Sequence, residues 1–196
     1  MIRIAIIGAI GSGKSHIAKL FRYPVFNADH EVAKLYKKSR ECYVQLKKAL
    51  PKHIISYPVE KSEILTAIND NKNNIKKITK IIHPKVRFRL RLFFKKNKKK
   101  KIVILDIPLL IENKINQKKD ILVFVDAKQK EINKRLKKRS NINLNIIKKL
   151  QKLQFSVKLK KKKSHYIIKN NFNNSYVKKN VRKILKNILL NARSYT

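Results

Sequence analysis

Apolar residues in the amino-terminal part of the chain fall in short, dense runs. Residues 2–7 read Ile-Arg-Ile-Ala-Ile-Ile, a pattern that predicts a parallel strand buried on both faces. A glycine-rich turn follows at 8–13. Residues 14–22 then place Ile17, Ala18 and Phe21 on one helical face, and Pro24 ends that helix. Val25 and Phe26 open a second strand that runs to about Asp29. Dense runs at 102–105, 121–125 and 166–168 predict three further strands. From 30 to 97 the spacing is helical, marked by Val32, Leu35, Val44, Leu46, Ile64, Leu65, Ile68, Ile78 and Ile81, with Pro51, Pro58 and Pro84 as punctuation. Helices are also predicted over 128–138, 144–159 and 175–191. Strands alternating with helices indicate an α/β fold on a parallel sheet. In such a sheet, ligands sit beyond the carboxyl ends of the strands.

Composition narrows the classes. The chain has 196 residues, 43% of them hydrophobic, enough for one domain with inserted subdomains. No apolar run reaches the roughly 18–20 residues that span a bilayer. The opening residues lack a basic leader and a cleavage site, so a cytoplasmic protein without membrane contact is expected. The single Cys42 excludes an intrachain disulfide and a Cys-cluster zinc site. The net charge of +40 would ordinarily point to nucleic acid. However, the excess is 41 Lys against 10 Arg, accompanied by 28 Ile and 19 Asn. These residue types share AT-rich codons, and the Lys are spread along the chain. Nucleic-acid readers lean on Arg and cluster their charge. The charge is therefore read as compositional drift, with no specific nucleic-acid partner.

Chemistry enters at residues 8–15. Gly8-Ala9-Ile10-Gly11-Ser12-Gly13-Lys14-Ser15 matches the spacing G-x-x-x-x-G-K-S/T, between a predicted strand and a predicted helix. The loop must curl until successive backbone N–H groups face one phosphate, and glycine permits the torsions. Lys14 reaches the terminal phosphates, Ser15 offers its hydroxyl to Mg²⁺, and the helix start adds partial positive charge. The chain contains three glycines, and all three lie in this loop. A nucleoside triphosphate is the expected ligand.

Only eleven acids are present. Asp29, Asp106 and Asp126 stand at predicted strand ends, and Glu112 follows shortly after the third strand. Asp106 has the strand-then-Asp form that helps to hold Mg²⁺. Asp126 is expected to cap the helix that starts near Lys128.

Taken in order, these segments resemble the dephospho-CoA kinase family. The likeness rests on the loop at 4–15, Val25-Phe26-Asn27-Ala28-Asp29, Ile82-His83-Pro84, and Asp106-Ile107-Pro108-Leu109-Leu110-Ile111-Glu112. It continues through Arg135 and Arg139, Gln151 and Gln154, and Tyr166-Ile167-Ile168-Lys169-Asn170. The Pro-Leu-Leu-x-Glu segment discriminates most, because a phosphate loop alone serves many families. The resemblance implies a P-loop fold with a five-stranded parallel sheet. It implies a core of 1–29, 98–127 and 164–196, a helical acceptor-binding subdomain of 30–97, and a lid of 128–163; a monomer is expected. The implied reaction moves the γ-phosphate of ATP to the ribose 3′-hydroxyl of dephospho-CoA, with Mg²⁺. It implies Asp29 as catalytic base beside Lys14, with ATP on Gly11, Ser12, Gly13, Lys14, Ser15, His16, Arg139 and Asn170. Asp29, His83 and Glu112 fall on the acceptor side, and Ser15 and Asp106 at the metal. Where the family usually has Thr before the loop, Thr after its Ser, and Asp-Ala-Asp, this chain has Ile7, His16 and Asn27-Ala28-Asp29.

Two other readings share the loop. One is a different P-loop kinase of nucleotides or nucleosides. The other is a basic nucleic-acid-binding protein that uses ATP as a switch, which calls for an Arg-rich stripe with interleaved aromatics.

Overall fold

The computed structural model describes residues 1–138 and 150–193. The chain divides into two compact units, Met1–Phe26 with Lys99–Thr196, and Asn27–Lys98.

The first unit is built on five parallel strands: β1 (Ile2–Gly8), β2 (Val25–Asn27), β3 (Ile102–Asp106), β4 (Ile121–Asp126) and β5 (Tyr166–Lys169). Their order is β2-β3-β1-β4-β5. β1 is central, with Ile4 opposite Ile104 on one side and Ile121 on the other. Its apolar run is continuous because both faces are covered. Ile4 and Ile6 pack with Ile104, Val123 and Val125 against helices α1 (Lys14–Leu20) and α8 (Asn174–Arg193), where Ile17, Val177, Val181 and Ile184, with Phe21 just past α1, fill the layer. Ala5 and Ile7 are buried on the opposite face.

In α6 (Gln129–Lys137), Ile132 and Leu136 pack on Ala9 and Ile10 of the glycine-rich loop. In place of one helix over 144–159, the backbone breaks at 153–156. Ser156 then caps a new short helix, α7 (Val157–Lys162), its hydroxyl accepting from the Leu159 N–H at 3.2 Å. A serine favours the cap position over the helix interior. Residues 139–149, which include the first part of that predicted helix, lie outside the described residues.

One polar residue interrupts β1. The Arg3 guanidinium lies 2.8 Å (Nε) and 3.0 Å (Nη2) from the two carboxylate oxygens of Asp120, just before β4. The Gln117 N–H donates to the same carboxylate at 2.9 Å. Both side chains are buried, and desolvation raises the Asp120 carboxyl above its ordinary value despite Gln117 and Arg3. Nothing in the local spacing marked this pair.

The second unit holds α2 (Ala28–Lys38), α3 (Arg40–Ala49), α4 (Lys61–Asp70) and α5 (Asn73–Lys96). Leu35, Cys42, Leu46, Ile54, Ile64, Ala67, Ile78 and Ile82 form its core. Ser39 ends α2 and caps α3, its hydroxyl accepting from the Cys42 N–H. Pro84 does not stop a helix as its type predicts; α5 runs through it. Buried Ile78, Ile82 and Leu90 hold both halves of α5. Pro84 and Lys80 are exposed, where water can take the Lys80 carbonyl that the proline leaves without a donor.

Candidate active site

The glycine-rich loop leaves β1 at Gly8 and enters α1 at Lys14. Gly13 is the residue before the helix, at φ 91°. A Cβ there would sit 2.5 Å from the Asn170 side-chain nitrogen, so the position requires glycine on torsion and on space. The Ser12 hydroxyl is fully buried and has no hydrogen-bond partner. Such a donor costs about 1–3 kcal/mol if it stays unmet, a cost that a bound oxyanion removes. The Lys14 ammonium donates to the Ala9 carbonyl at 2.8 Å and the Gly8 carbonyl at 3.3 Å. It is therefore folded over the loop whose N–H groups would hold a phosphate. Ser15 and His16 are exposed in the first turn of α1.

Two clefts flank this loop. One, of about 180 Å³, is lined by Gly13, His16, Arg135, Asn170, Phe172 and Asn174 among others. Asn170 is its fixed point. Its side chain donates to the Ser12 carbonyl at 2.8 Å and accepts from the Phe172 N–H at 2.9 Å, and its own N–H donates to the Asp126 carbonyl at 2.7 Å. The Arg135 guanidinium stacks over the Phe172 ring, 4.5 Å from its centroid. The His16 ring lies 3.2 Å from the Asn174 side-chain oxygen. A planar, hydrogen-bonding group such as a nucleobase suits a pocket of amides beside a stacked guanidinium. Phe172 was missed by the sequence reading, although it sits between two Asn pairs directly after β5. It adopts φ 61°, a turn conformation that periodicity does not show.

The second cleft is narrow. Ile7, Gly8, Lys14, residues 107–110, Glu112, Gln154 and Lys160 line it. Glu112 is engaged there: its Oε1 accepts from Lys160 Nζ at 2.8 Å and from the Phe155 N–H at 3.0 Å. Asp106, the last residue of β3, is buried. Asp126 does not cap the following helix. Lys128 stands at that cap with no side-chain bond, and the Asp126 carboxylate takes Lys161 Nζ at 2.8 Å. Only Ala127 separates Asp126 from Lys128, whose backbone is extended at the cap position.

In the second unit, β2 ends at Asn27, so Asp29 lies in the first turn of α2 and not on the strand. Asn27 caps that helix, its side-chain oxygen accepting from the His30 N–H at 2.7 Å. The exposed Asp29 carboxylate thus stands at a helix amino end, where the dipole favours negative charge. His83 is on the exposed side of α5. Partial desolvation, then the Arg87 guanidinium, hold its imidazole below the ordinary value. Arg139 lies outside the described residues. Among those described, no three or more His, Cys, Asp or Glu side chains gather as a metal site, and no helix is long and apolar enough to cross a membrane.

Comparison with known proteins agrees with this geometry. The family model described as dephospho-CoA kinase matches residues 2–175. A dephospho-CoA kinase of Wolbachia pipientis wMel is 31% identical over 194 residues, covering 96% of this chain and 99% of its own. One from Fusobacterium nucleatum is 30% identical, covering 87% and 90%. Among solved structures, TT1252 from Thermus thermophilus superposes with a TM-score of 0.75 at 25% identity, covering 97% of both chains. Dephospho-CoA kinase from Campylobacter jejuni superposes with a TM-score of 0.65 over 95% of this chain and 96% of its own; at 19% identity that likeness speaks for the fold. A match over nearly the whole chain sets aside both the alternative P-loop kinase of nucleotides or nucleosides and the nucleic-acid switch. With a P-loop core and a family-model match that runs from β1 through β5 into the last helix, this chain belongs to the dephospho-CoA kinase family and phosphorylates dephospho-CoA in coenzyme A biosynthesis.

Proposed function

We propose that the chain transfers the γ-phosphoryl group of ATP to the ribose 3′-hydroxyl of dephospho-CoA, with Asp29 as the base. The observation that carries this reading is the loop itself, where the Lys14 ammonium lies on the Gly8 and Ala9 carbonyls beside the unmet Ser12 hydroxyl. Residues 11–16 hold the ATP phosphates. Lys14 neutralises charge on the group in transit, since positioning and electrostatics supply most of the catalysis of phosphoryl transfer. Asn170 orients the adenine end, with Arg139 and the Arg135–Phe172 stack as further nucleotide contacts. Asp29 orients the acceptor hydroxyl and takes its proton as the new P–O bond forms. His83 belongs to the acceptor side.

Ser15 and Asp106 offer a hydroxyl and a carboxylate, the hard oxygen donors that suit Mg²⁺, which takes few protein ligands beside phosphate oxygens. When bound, the ion neutralises charge on the β- and γ-phosphates.

An acceptor screen with Mg-ATP tests the reading, comparing dephospho-CoA with nucleoside monophosphates and RNA. Selective transfer to dephospho-CoA is expected, with the phosphate at the 3′ position of the product. Asp29→Asn keeps the shape and removes the base, so ATP binding should persist while transfer falls ~10²–10⁴-fold. Wild-type turnover in that variant would end the assignment of Asp29. Recovery of the rate with excess Mg²⁺ would make it a metal partner instead.

A further inference from the structure

Among the described residues, two ion pairs are buried at both partners, Arg3–Asp120 and Glu112–Lys160. In the second, Lys160 is 3% and Glu112 7% exposed at the side chain. A buried pair is a weak stabilising device, because desolvation of two ions consumes most of their attraction; well-packed apolar groups in its place are often as stable or more so. The pair therefore needs a reason beyond stability, and its location supplies one. Lys160 comes from α7 and Glu112 from the segment after β3, and they meet in the narrow cleft that also contains Gly8 and Lys14. Glu112 uses a single oxygen, Oε1, for both the Lys160 ammonium and the Phe155 N–H. It thereby pins the break at 153–156, with Gln154, against the phosphate-loop side of the sheet. The neighbouring Lys161 does not compete, since Asp126 holds it at 2.8 Å.

We propose that Glu112 and Lys160 form a positioning pair for phosphoryl transfer. Glu112 holds the Lys160 ammonium in the cleft of Lys14, so two cations border the phosphate loop, and Glu112 acts through that lysine without touching the acceptor. Placed in advance, the second cation costs no reorganisation when negative charge shifts during transfer. The inference rests on the kinase activity stated above and assigns Glu112 a different task from acceptor binding.

The test uses the full chain, with wild-type turnover of dephospho-CoA as reference. Lys160→Met removes the cation at similar length and is expected to lower kcat about 10²-fold, with the KM for dephospho-CoA nearly unchanged. Lys160→Arg keeps the charge and should recover most of the rate. The double variant Glu112→Gln with Lys160→Met retains an acceptor for the Phe155 N–H and leaves no unpaired buried charge. It should melt no lower than wild type and still show the low kcat of Lys160→Met, which separates positioning from folding. Wild-type kcat in the double variant would make the pair purely structural and overturn the proposal. A rise in the dephospho-CoA KM alone in Glu112→Gln would place Glu112 on the acceptor and overturn it equally. An inactive wild type, by contrast, would strike the activity itself.

Discussion

The two ends of the sheet use polar residues in opposite ways. At the amino end, Arg3 and Asp120 satisfy each other through two contacts of 2.8 and 3.0 Å, and the Gln117 N–H takes a further lone pair. The two charges neutralise each other inside the protein, although the 2.8 Å Nε–Oδ1 approach is ionic and not aligned as a hydrogen bond. At the carboxyl end, the Ser12 hydroxyl is buried without a partner, and Lys14 is parked on two loop carbonyls. Those groups are oriented by the fold, and in the function proposed above a bound phosphate completes them. A buried ion that meets its counter-ion inside the protein is complete without a ligand, whereas a buried donor left open, such as the Ser12 hydroxyl, marks where something binds.

That contrast can be broken by substitution at either end. The largest effect is expected for Arg3→Met, which leaves Asp120 buried without its cation. Unfolding free energy should fall by about 3–5 kcal/mol, read by urea titration, while the variant at a temperature where it is folded turns over dephospho-CoA normally. A comparable loss of turnover would mean that the amino end is not merely structural. Lys14→Ala should show the reverse, with kcat down about 10²–10³-fold and the urea midpoint unmoved. A shifted midpoint with retained kcat would remove the phosphate-loop assignment.

Asn170→Ala sharpens the comparison, because this residue serves both purposes. It bonds the Ser12 carbonyl and the Phe172 N–H and lines the cleft beside Arg135. Stability should drop by about 1–3 kcal/mol, and the KM for ATP should rise more than that for dephospho-CoA. Equal KM values would make Asn170 only a brace. The smallest effect belongs to Asp126→Asn. Its pair with Lys161 is partly exposed at both partners, and such pairs contribute about 0–1 kcal/mol. A thermal melt should barely change and kcat should hold; a large drop would show that the pair is coupled to the buried Glu112–Lys160 contact next to it.

Much of the core was legible along the chain. The runs at 2–7, 102–105 and 121–125 announced buried strands because parallel strands covered on both faces need continuous apolar sequence. The loop was legible because its spacing meets a phosphate only one way, and every glycine in the chain stands there. Boundaries set by side-chain capping were harder. Asp29 is helical because the Asn27 side chain captures the His30 N–H, and the 144–159 pattern breaks where Ser156 captures the Leu159 N–H. Pro84 misled for the opposite reason: packing of Ile82 and Leu90 on either side outweighed a local breaker.

The sequence by itself determined the strands, the loop, the triphosphate chemistry and the family, since each depends on residue type at short spacing. Tertiary structure alone decided which charges meet. Arg3 finds Asp120 and Glu112 finds Lys160 across 117 and 48 positions respectively. No local pattern encodes such a partner, because burial makes each ion costly until the fold delivers its counter-ion.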